Sequence, residues 1–332
     1  MMEKPLTCLV ISDGRRGIEN QALGLAEAIA HLRKTKITRH VVTANKVFKT
    51  LPPLLQFALK PAPRNYDILD APKLAIGCGR QAIAPLLALK KKHGTDIFTV
   101  YIQDPRINSK HFDLVIAPAH DGLSGANIET MIGSPNRITP ERLDREVQIF
   151  SRQLAKLPSP RITVLIGGTS KSHQLTRDIH QKHMQAICAL AEQGMSILLT
   201  TSRRTPEWAI ADYRKITADR KRVWAKNNWI WDDKGKNPYF AFLGAADIIL
   251  VTEDSTNMLT EACATGKPVF TLPMAGNPGK FATLYESLKQ RCNVVPFAGN
   301  ITAPPYTALE ETKRMAEALL SRIDVIGKSY IR

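Results

Sequence analysis

Apolar residues along the chain fall into two patterns, short continuous runs and longer stretches in which they recur every three or four positions. The first suits strands buried on both faces and the second suits amphipathic helices. LTCLVIS (residues 6–12) opens the series, DGRRGIEN follows as a loop, and QALGLAEAIAHL has helical spacing. The pair then recurs. ITRHVVT (37–43), KLAIGCG (73–79), IFTVYIQ (97–103) and DLVIAP (113–118) read as strands, while LPPLLQFALK (51–60) and RQAIAPLLALKKKHG (80–94) read as helices. Strands that alternate with helices pair in parallel through right-handed crossovers, which predicts a doubly wound α/β layer. Thr139 as N-cap and Pro140 at the first helical position open a long amphipathic helix to about residue 157, and PSP at 158–160 then breaks the chain.

The second half begins afresh with ITVLIGG (162–168) as a strand and a helix over 176–193 closed by Gly194. SILLTTS (196–202) follows as a strand, then a helix with Thr205 as N-cap and Pro206 behind it. RKRVWAKNNWIWDDKGKNP is the least readable stretch; Asn237 and Pro238 open the next helix and Gly244 closes it. IILVTEDSTNMLTEACATGKPVFTL (248–272) then reads as strand, turn, helix and strand, with Ser255 at the N-cap and Gly266 and Pro268 ending the helix. CNVVPF is a last strand and YTALEETKRMAEALLSRI (306–323) a last helix. The expected fold is therefore α/β, two Rossmann-like doubly wound domains at 1–157 and 161–305 with the segment 306–332 beyond them. Ligands of such sheets bind outside the carboxyl ends of the strands, so a cleft between the two domains is the expected site.

Length agrees, since 332 residues exceed one ordinary core at ~100–200 residues per domain. The 44% hydrophobic and 23% charged content is that of a soluble globular protein. No apolar run approaches the ~18–20 residues needed to span a bilayer, and MMEKPLTCLVIS leads straight into a strand, so a cytoplasmic location is expected. Cys8, Cys78, Cys188, Cys263 and Cys292 are widely spaced and odd in number, which indicates neither a disulfide framework nor a zinc site. The net charge of +16 is shared by both halves and favours anionic partners: phospholipid headgroups, an acidic glycolipid or a nucleotide. The KKK run at 90–92 and the RKR run at 220–222 read as solvated faces, and no nucleic-acid module accompanies them, so nucleic acid ranks last.

The loops that follow strands carry the candidate chemistry. Gly167, Gly168, Thr169, Ser170 and Lys171 offer amides, hydroxyls and an ammonium to an anion at a helix start, which suits a diphosphate; the bland alternative is a tight turn with a solvated lysine. Ser202, Arg203 and Arg204 end the next strand, where paired arginines can clamp phosphate or cover a base. Glu253, Asp254 and Ser255 precede a helix that contains Glu261, whose carboxylate can accept two hydrogen bonds from a ribose diol. In the first domain, Asp13 and Glu19 are candidates for a general base, with Asp104 a third. Glu19 equally suits a first helical turn, where the dipole favours a carboxylate without chemistry. Gly14, Arg15, Arg16, Asn20, Gln21, Arg80 and Gln103 would line the same cleft. Gly77, Cys78, Gly79 and Ala82 match G-x-G-x-x-A, but the unit is not the first of its domain and no acidic strand end follows at the right offset, so nicotinamide binding is not indicated. With no D-x-D triplet, and with His173, His180 and His183 lacking a carboxylate pattern, neither a metal nor another cofactor is expected.

Glu261-Ala-Cys-Ala-Thr-Gly266-Lys-Pro268 looks like the donor signature E-x-x-x-x-G-x-P of GT-B glycosyltransferases, and Glu253 with Glu261 has the E-x7-E spacing of many of them. DGRRGIENQALGLAEAI, the IGGTSK loop, TTSRRTPE and TEDSTNMLTEACATGKPVF, in order along nearly the whole chain, resemble the ELM-type mitochondrial fission protein family. That resemblance implies a GT-B-like pair of Rossmann domains with a nucleotide-sugar donor held mainly by the second. Gly168 to Lys171 and Ser255 would take phosphates, Glu261 the ribose, and Arg203 and Arg204 the phosphates or base, while the last helix packs back on the first domain. The expected function is metal-independent transfer of a sugar to a lipid-linked or cell-envelope acceptor, at the inner membrane through the basic surface. Two alternatives stand beside it, a non-catalytic scaffold, as the division role of plant members suggests, and a nucleotide-sugar epimerase.

Overall fold

A computed structural model describes residues 4–42, 50–58, 72–218 and 227–329. The chain divides into two compact units, the first formed by Met1–Arg137 with Glu310–Arg332 and the second by Ile138–Leu309.

In the first unit β1 (Leu6–Ser12), β2 (Thr35–Val41), β3 (Leu74–Cys78), β4 (Phe98–Ile102), β5 (Leu114–Pro118) and β6 (Ile128–Met131) form one sheet in the order β2-β1-β3-β4-β5-β6, parallel throughout. Every residue of β3, β4 and β5 is buried, as continuous apolar runs require, whereas the edge strand β2 turns Lys36, Arg39 and His40 outward or half outward. One face of the sheet is covered by the helices Arg16–Leu32 and Glu311–Ser329, through Leu25, Ile29, Met315 and Leu319. The helix Ile83–His93 covers the other through Ile83, Leu86 and Leu89. At ~1.5–3 kcal/mol per buried aliphatic side chain, these two layers hold the unit together. β6 was not legible, because its four residues are mostly half exposed and carry no apolar run. The helix Pro53–Ala58 is shorter than the stretch 51–60, whose last two residues lie outside the described residues.

The second unit contains β7 (Arg161–Ile166), β8 (His173–Gln174), β9 (Ser196–Thr201), β10 (Asn228–Ile230), β11 (Ile248–Thr252), β12 (Val269–Leu272), β13 (Ala275–Gly276) and β14 (Val295–Pro296). Six of them form a parallel sheet in the order β10-β9-β7-β11-β12-β14, while β8 and β13 form a small antiparallel pair. Numbered within the unit, the large sheet runs 3-2-1-4-5-6, the dinucleotide-fold order. The RKR run at 220–222 lies outside the described residues.

Three boundaries differ from expectation. The helix from Pro140 ends at Ile149, where Phe150 leaves helical geometry (φ −104°, ψ 15°), and a short turn Ser151–Leu154 follows. That helix packs on the helix Tyr239–Ala245 of the second unit so closely that a Cβ on Gly244 would lie 2.7 Å from Val147 and 3.3 Å from Leu143 side-chain atoms. The division therefore falls at 137/138, before the helix, and the prolines at 158–160 lie inside the second unit. The last helix starts at Glu311 and not at 306, because Arg291 and Asn293 hold the carbonyls of Thr307, Pro304 and Pro305, and Leu309 N–H bonds Cys263 O. It packs on the helix Arg16–Leu32 within the first unit.

Candidate functional site

A parallel sheet opens a crevice where strand order reverses, here between β7 and β11 in the second unit. The loops at that point are joined by one buried carboxylate. Asp254, its side chain 0% exposed, accepts from Gly168 N at 3.0 Å and Thr252 Oγ1 at 2.7 Å, and its Oδ2 lies 2.6 Å from Arg204 Nη2. Burial raises its pKa, while the Gly168 amide, Arg204 and Thr252 pull it back toward the charged form. Asp254 thus ties the ends of β7, β9 and β11 together and fixes the half-exposed Arg204 guanidinium.

Both loop glycines serve this clasp. A Cβ on Gly167 would lie 2.0 Å from Asp254 Oδ1, and one on Gly168 would lie 2.0 Å from Arg204 O. Their N–H groups bond Thr252 Oγ1 and Asp254, so the close approach these glycines permit is to the chain itself. Ser170 folds the rest of the loop, accepting from the amides of Ser172 and His173, and Thr169 Oγ1 accepts from Leu175 N. His173 is buried beneath, with Nδ1 3.0 Å from Ser172 Oγ and Nε2 3.2 Å from Tyr285 Oη. Since the Tyr285 hydroxyl donates to Glu253 O at 2.7 Å, it accepts from His173 Nε2–H, which leaves Nδ1 to accept from Ser172.

Lys171 and Arg203, by contrast, are exposed and make no ion pair among the described residues. The helix Thr256–Cys263 begins without a side-chain cap, since Ser255 occupies the N-cap and makes no cap bond, and the amides of Thr256 and Met258 have no partner among the described residues. Two cations and open helix amides at a switch point form a donor-rich surface suited to an anion.

Other expected ligands have internal roles. Glu253 Oε2 accepts from Met274 N at 2.9 Å, and Ser202 Oγ accepts from Arg204 N. Thr205 does not cap the following helix, which starts at Glu207; its hydroxyl donates to the Ile166 and Gly167 carbonyls at the end of β7. Glu261 is buried and accepts a 2.5 Å bond from Tyr239 Oη; burial pushes its pKa from 4.5 to about 7, against the Tyr239 bond. Lys267 of the same motif donates to Leu243 O at 2.8 Å and to Gly244 O, at the end of the helix Tyr239–Ala245, and burial pushes it down to about 8.

In the first unit the reversal lies between β1 and β3. Asp13 accepts from Arg15 N at 3.1 Å and Arg15 Nε at 2.8 Å, and Gly14 takes positive φ (77°) beside Val41. Gln21 Oε1 accepts from Gln103 Nε2 at 3.1 Å and the Cys78 thiol at 3.4 Å, linking the ends of β3 and β4. Asp104 accepts from Arg106 N, and Gln103 adopts φ 88°. Three expected residues are engaged elsewhere: Glu19 pairs with Arg39 at 2.6 Å, Arg80 donates to Thr50 O and Leu51 O, and Asn20 Oδ1 lies 3.5 Å from Arg137. Arg16 is exposed and makes no ion pair among the described residues. The G-x-G-x-x-A segment serves packing, since a Cβ on Gly77 would lie 2.5 Å from Leu86.

Thr252, His173, Tyr239 and Tyr285 belong to no spacing pattern, and only the hydrogen-bonded geometry reveals them. Among the described residues no group of three or more His, Cys, Asp or Glu is placed to hold a metal ion, and no helix is long and apolar enough to cross a membrane.

Comparison with known proteins adds lineage to this geometry. Residues 16–323 match the family model described as Mitochondrial fission ELM1. The chain is 26% identical over 253 residues to "Mitochondrial fission protein ELM1" of Arabidopsis thaliana, an alignment covering 69% of this chain and 58% of that protein, so it spans less than two thirds of that relative's length. It is also 26% identical to "Uncharacterized protein RP120" of Rickettsia prowazekii (strain Madrid E), with 93% and 96% of the two chains covered. Among solved structures, the UDP-GlcNAc 2-epimerase from Methanocaldococcus jannaschii superposes with a TM-score of 0.55 at 14% identity, covering 95% of this chain and 99% of that one. That likeness is one of fold. The fold is α/β and GT-B-like, two Rossmann-like units each built on a six-stranded parallel sheet.

Proposed function

The chain belongs to the mitochondrial fission ELM1 family, and on that premise we propose that it is a metal-independent GT-B glycosyltransferase taking a nucleotide-sugar donor in its second unit. One observation carries the reading: at the β7/β11 switch point a buried carboxylate, Asp254, fixes Arg204, while Lys171, Arg203 and the uncapped helix at Ser255 present unused donors. A diphosphate is the ligand such a surface fits, and stabilising the charge of a departing diphosphate is the chemistry it supplies. Glu261 takes the ribose hydroxyls. Its accepting bond to Tyr239 leaves it oriented, and donors from a diol favour its charged form over the neutral one.

The acceptor side is the first unit, with Asp13, directly after β1 at the strand reversal, the general base. The acceptor is a lipid-linked or cell-envelope hydroxyl compound, and the +16 charge brings the enzyme to the cytoplasmic face of an anionic membrane.

The test is isothermal titration of the full chain with UDP, other nucleoside diphosphates and their sugar conjugates. Binding in the micromolar range, lost in Glu261→Ala, is the expected result. No binding across the panel, or unchanged binding in that variant, sinks the donor assignment. Absence of nucleotide binding together with capture of organelle-division proteins would establish the scaffold reading instead, and donor isomerisation without acceptor would establish an epimerase.

A further inference from the structure

A chain of hydrogen bonds crosses the β7/β11 reversal of the second unit, and all of its donors point the same way. It starts at Ser172, half exposed in the loop after β7, whose Oγ lies 3.0 Å from His173 Nδ1. His173, 2% exposed, reaches Tyr285 Oη through Nε2 at 3.2 Å, and the Tyr285 hydroxyl donates to Glu253 O, just past β11, at 2.7 Å. With the tyrosine proton directed at Glu253, His173 Nε2–H donates to Tyr285, Nδ1 is an acceptor, and the Ser172 hydroxyl turns its proton inward. The outer end of the chain therefore shows a lone pair. Beside the exposed Lys171 and Arg203, Ser172 is an acceptor where an anion needs donors.

A second proton on His173 reverses the outer link. Both ring nitrogens then donate, Nδ1–H to Ser172 Oγ and Nε2–H to Tyr285 as before, so no bond of the chain is lost. Ser172 Oγ, 3.4 Å from Ser170 Oγ, accepts on its inner side, and its own proton is released to the loop surface. The backbone stays as it is, because Ser170 Oγ holds the amides of Ser172 and His173 and Asn277 N holds Ser172 O. The surroundings suit the added charge. Asp254, in the turn after β11, is near enough for a charge on His173 to favour its ionised form, and Arg204 already pairs with it. The Glu253 carboxylate is taken by Met274 N, burial keeps Tyr285 neutral, and Lys171, in the same loop, is exposed.

We propose that diphosphate binding at the second unit is linked to uptake of one proton by His173, a positioning residue that turns the Ser172 hydroxyl from an acceptor into a donor toward the ligand. This deepens the donor reading above and rests on it for the identity of the anion. It adds Ser172 to the phosphate contacts expected from Gly168 to Lys171. Histidine is the side chain whose charge changes near neutral pH, so the link operates in the range where the protein works. The protonated form binds more tightly; affinity falls as pH rises and levels off once His173 is neutral.

The experiment titrates the full chain by calorimetry with UDP-glucose, whose diphosphate diester stays ionised throughout, from about pH 5.5 to 8.5 at constant ionic strength and in buffers of differing ionisation enthalpy, with sulfate as a parallel probe. Wild type binds UDP-glucose about five- to tenfold more tightly at the acid end, the worth of one charge-assisted hydrogen bond, with net proton uptake. Ser172→Ala removes that dependence and binds at every pH as wild type does at the alkaline end, while Ser172→Thr, which keeps the hydroxyl, retains it. His173→Asn cannot take up the proton and also flattens the profile, whereas a merely structural histidine would lower affinity equally at every pH. Should that variant fail to fold, Ser172→Ala decides. A flat wild-type profile, or one unchanged in Ser172→Ala, overturns the proposal and leaves the donor assignment standing. Sulfate binding with the same Ser172-dependent profile but no UDP-glucose binding leaves the proton-linked anion site standing and overturns the donor assignment, and no binding of either anion overturns both.

Discussion

The two sheets solve the same topological problem and end in opposite chemistry. At the β7/β11 reversal of the second unit the carboxylate is consumed internally: Asp254 is enclosed, bonded to Gly168 and Thr252 and paired with Arg204, and what remains open is a set of donors. At the β1/β3 reversal of the first unit no carboxylate is enclosed in this way. Asp13 is held by the exposed Arg15, Asp104 keeps Oδ2 without a partner among the described residues, and what remains open is acceptors with the cations Arg15, Arg16 and Arg106 at the rim. A parallel sheet aims its loops at one end whatever their composition, so specificity follows from which groups the chain satisfies for itself. A donor-rich end suits phosphates and an acceptor-rich end suits hydroxyls.

The sharpest way to break that contrast is at the glycines. Gly168→Ala puts a Cβ 2.0 Å from Arg204 O, backbone that cannot rotate away, so the clasp must open. Urea denaturation should show a loss of at least ~3 kcal/mol, or no folded second unit. Gly14→Ala in the first unit meets only the Val41 side chain at 3.0 Å and a positive φ, and should cost about 1 kcal/mol. Equal costs would show that the Asp254 clasp has no structural weight.

Glu261 tests whether the second unit holds a strained carboxylate as well as a satisfied one. Its pKa in the folded chain, about 7, lies above the ordinary 4.5, so the native state keeps a proton that the unfolded chain releases. The stability this confers is complete below about pH 4.5 and is lost as pH rises through 7, a change of about 3 kcal/mol at most. Glu261→Gln should flatten that slope and raise Tm at pH 8. A Tm profile unchanged by the substitution would mean that the carboxylate is solvated in the folded protein.

How far the sequence reaches follows from the same physics. Eight strands announce themselves because they are mostly buried and their apolar runs are continuous, as in LAIGC and IILVT, while β2 and β14, without a buried residue, are read from ITRHVVT and CNVVPF alone. β6, β8, β10 and β13 do not, being two to four residues long and partly exposed. Proline punctuation at 158–160 reads as a linker, yet the unit changes at 137/138, since a helix joins whichever surface its apolar stripe fits and Gly244 offers the close contact. At the sites, residue type locates the loops but does not say which groups are already taken. Lys171 and Arg204 look alike in the sequence; one makes no ion pair among the described residues, and the other is held by Asp254.

Asp254→Asn removes the charge but keeps an acceptor for the Gly168 amide, which separates the clasp from the loop. Stability should fall by about 1–3 kcal/mol as the hydrogen bonds weaken and Arg204 loses its partner. Nucleotide affinity should fall about tenfold, because a guanidinium no longer held in place must be ordered on binding. If affinity survives while stability falls, Arg204 does not reach the ligand and the donor-rich end is smaller than drawn here.

The smallest effect is the most discriminating. Lys171→Ala removes an exposed ammonium that makes no ion pair among the described residues, so stability should stay within ~0.5 kcal/mol of wild type by urea denaturation. If the free donors of the second unit bind a diphosphate, UDP affinity should still drop about three- to tenfold by calorimetry. The drop should shrink between 50 and 500 mM salt, since an exposed charge is screened where the enclosed Asp254–Arg204 pair is not. Arg203→Ala, equally exposed, should behave in the same way, and Arg16→Ala in the first unit should leave UDP affinity alone. A loss of UDP affinity on Arg16→Ala equal to that on Lys171→Ala would mean that the nucleotide senses the overall charge of +16 and no particular strand end, and the contrast between the two units would then lose its functional meaning.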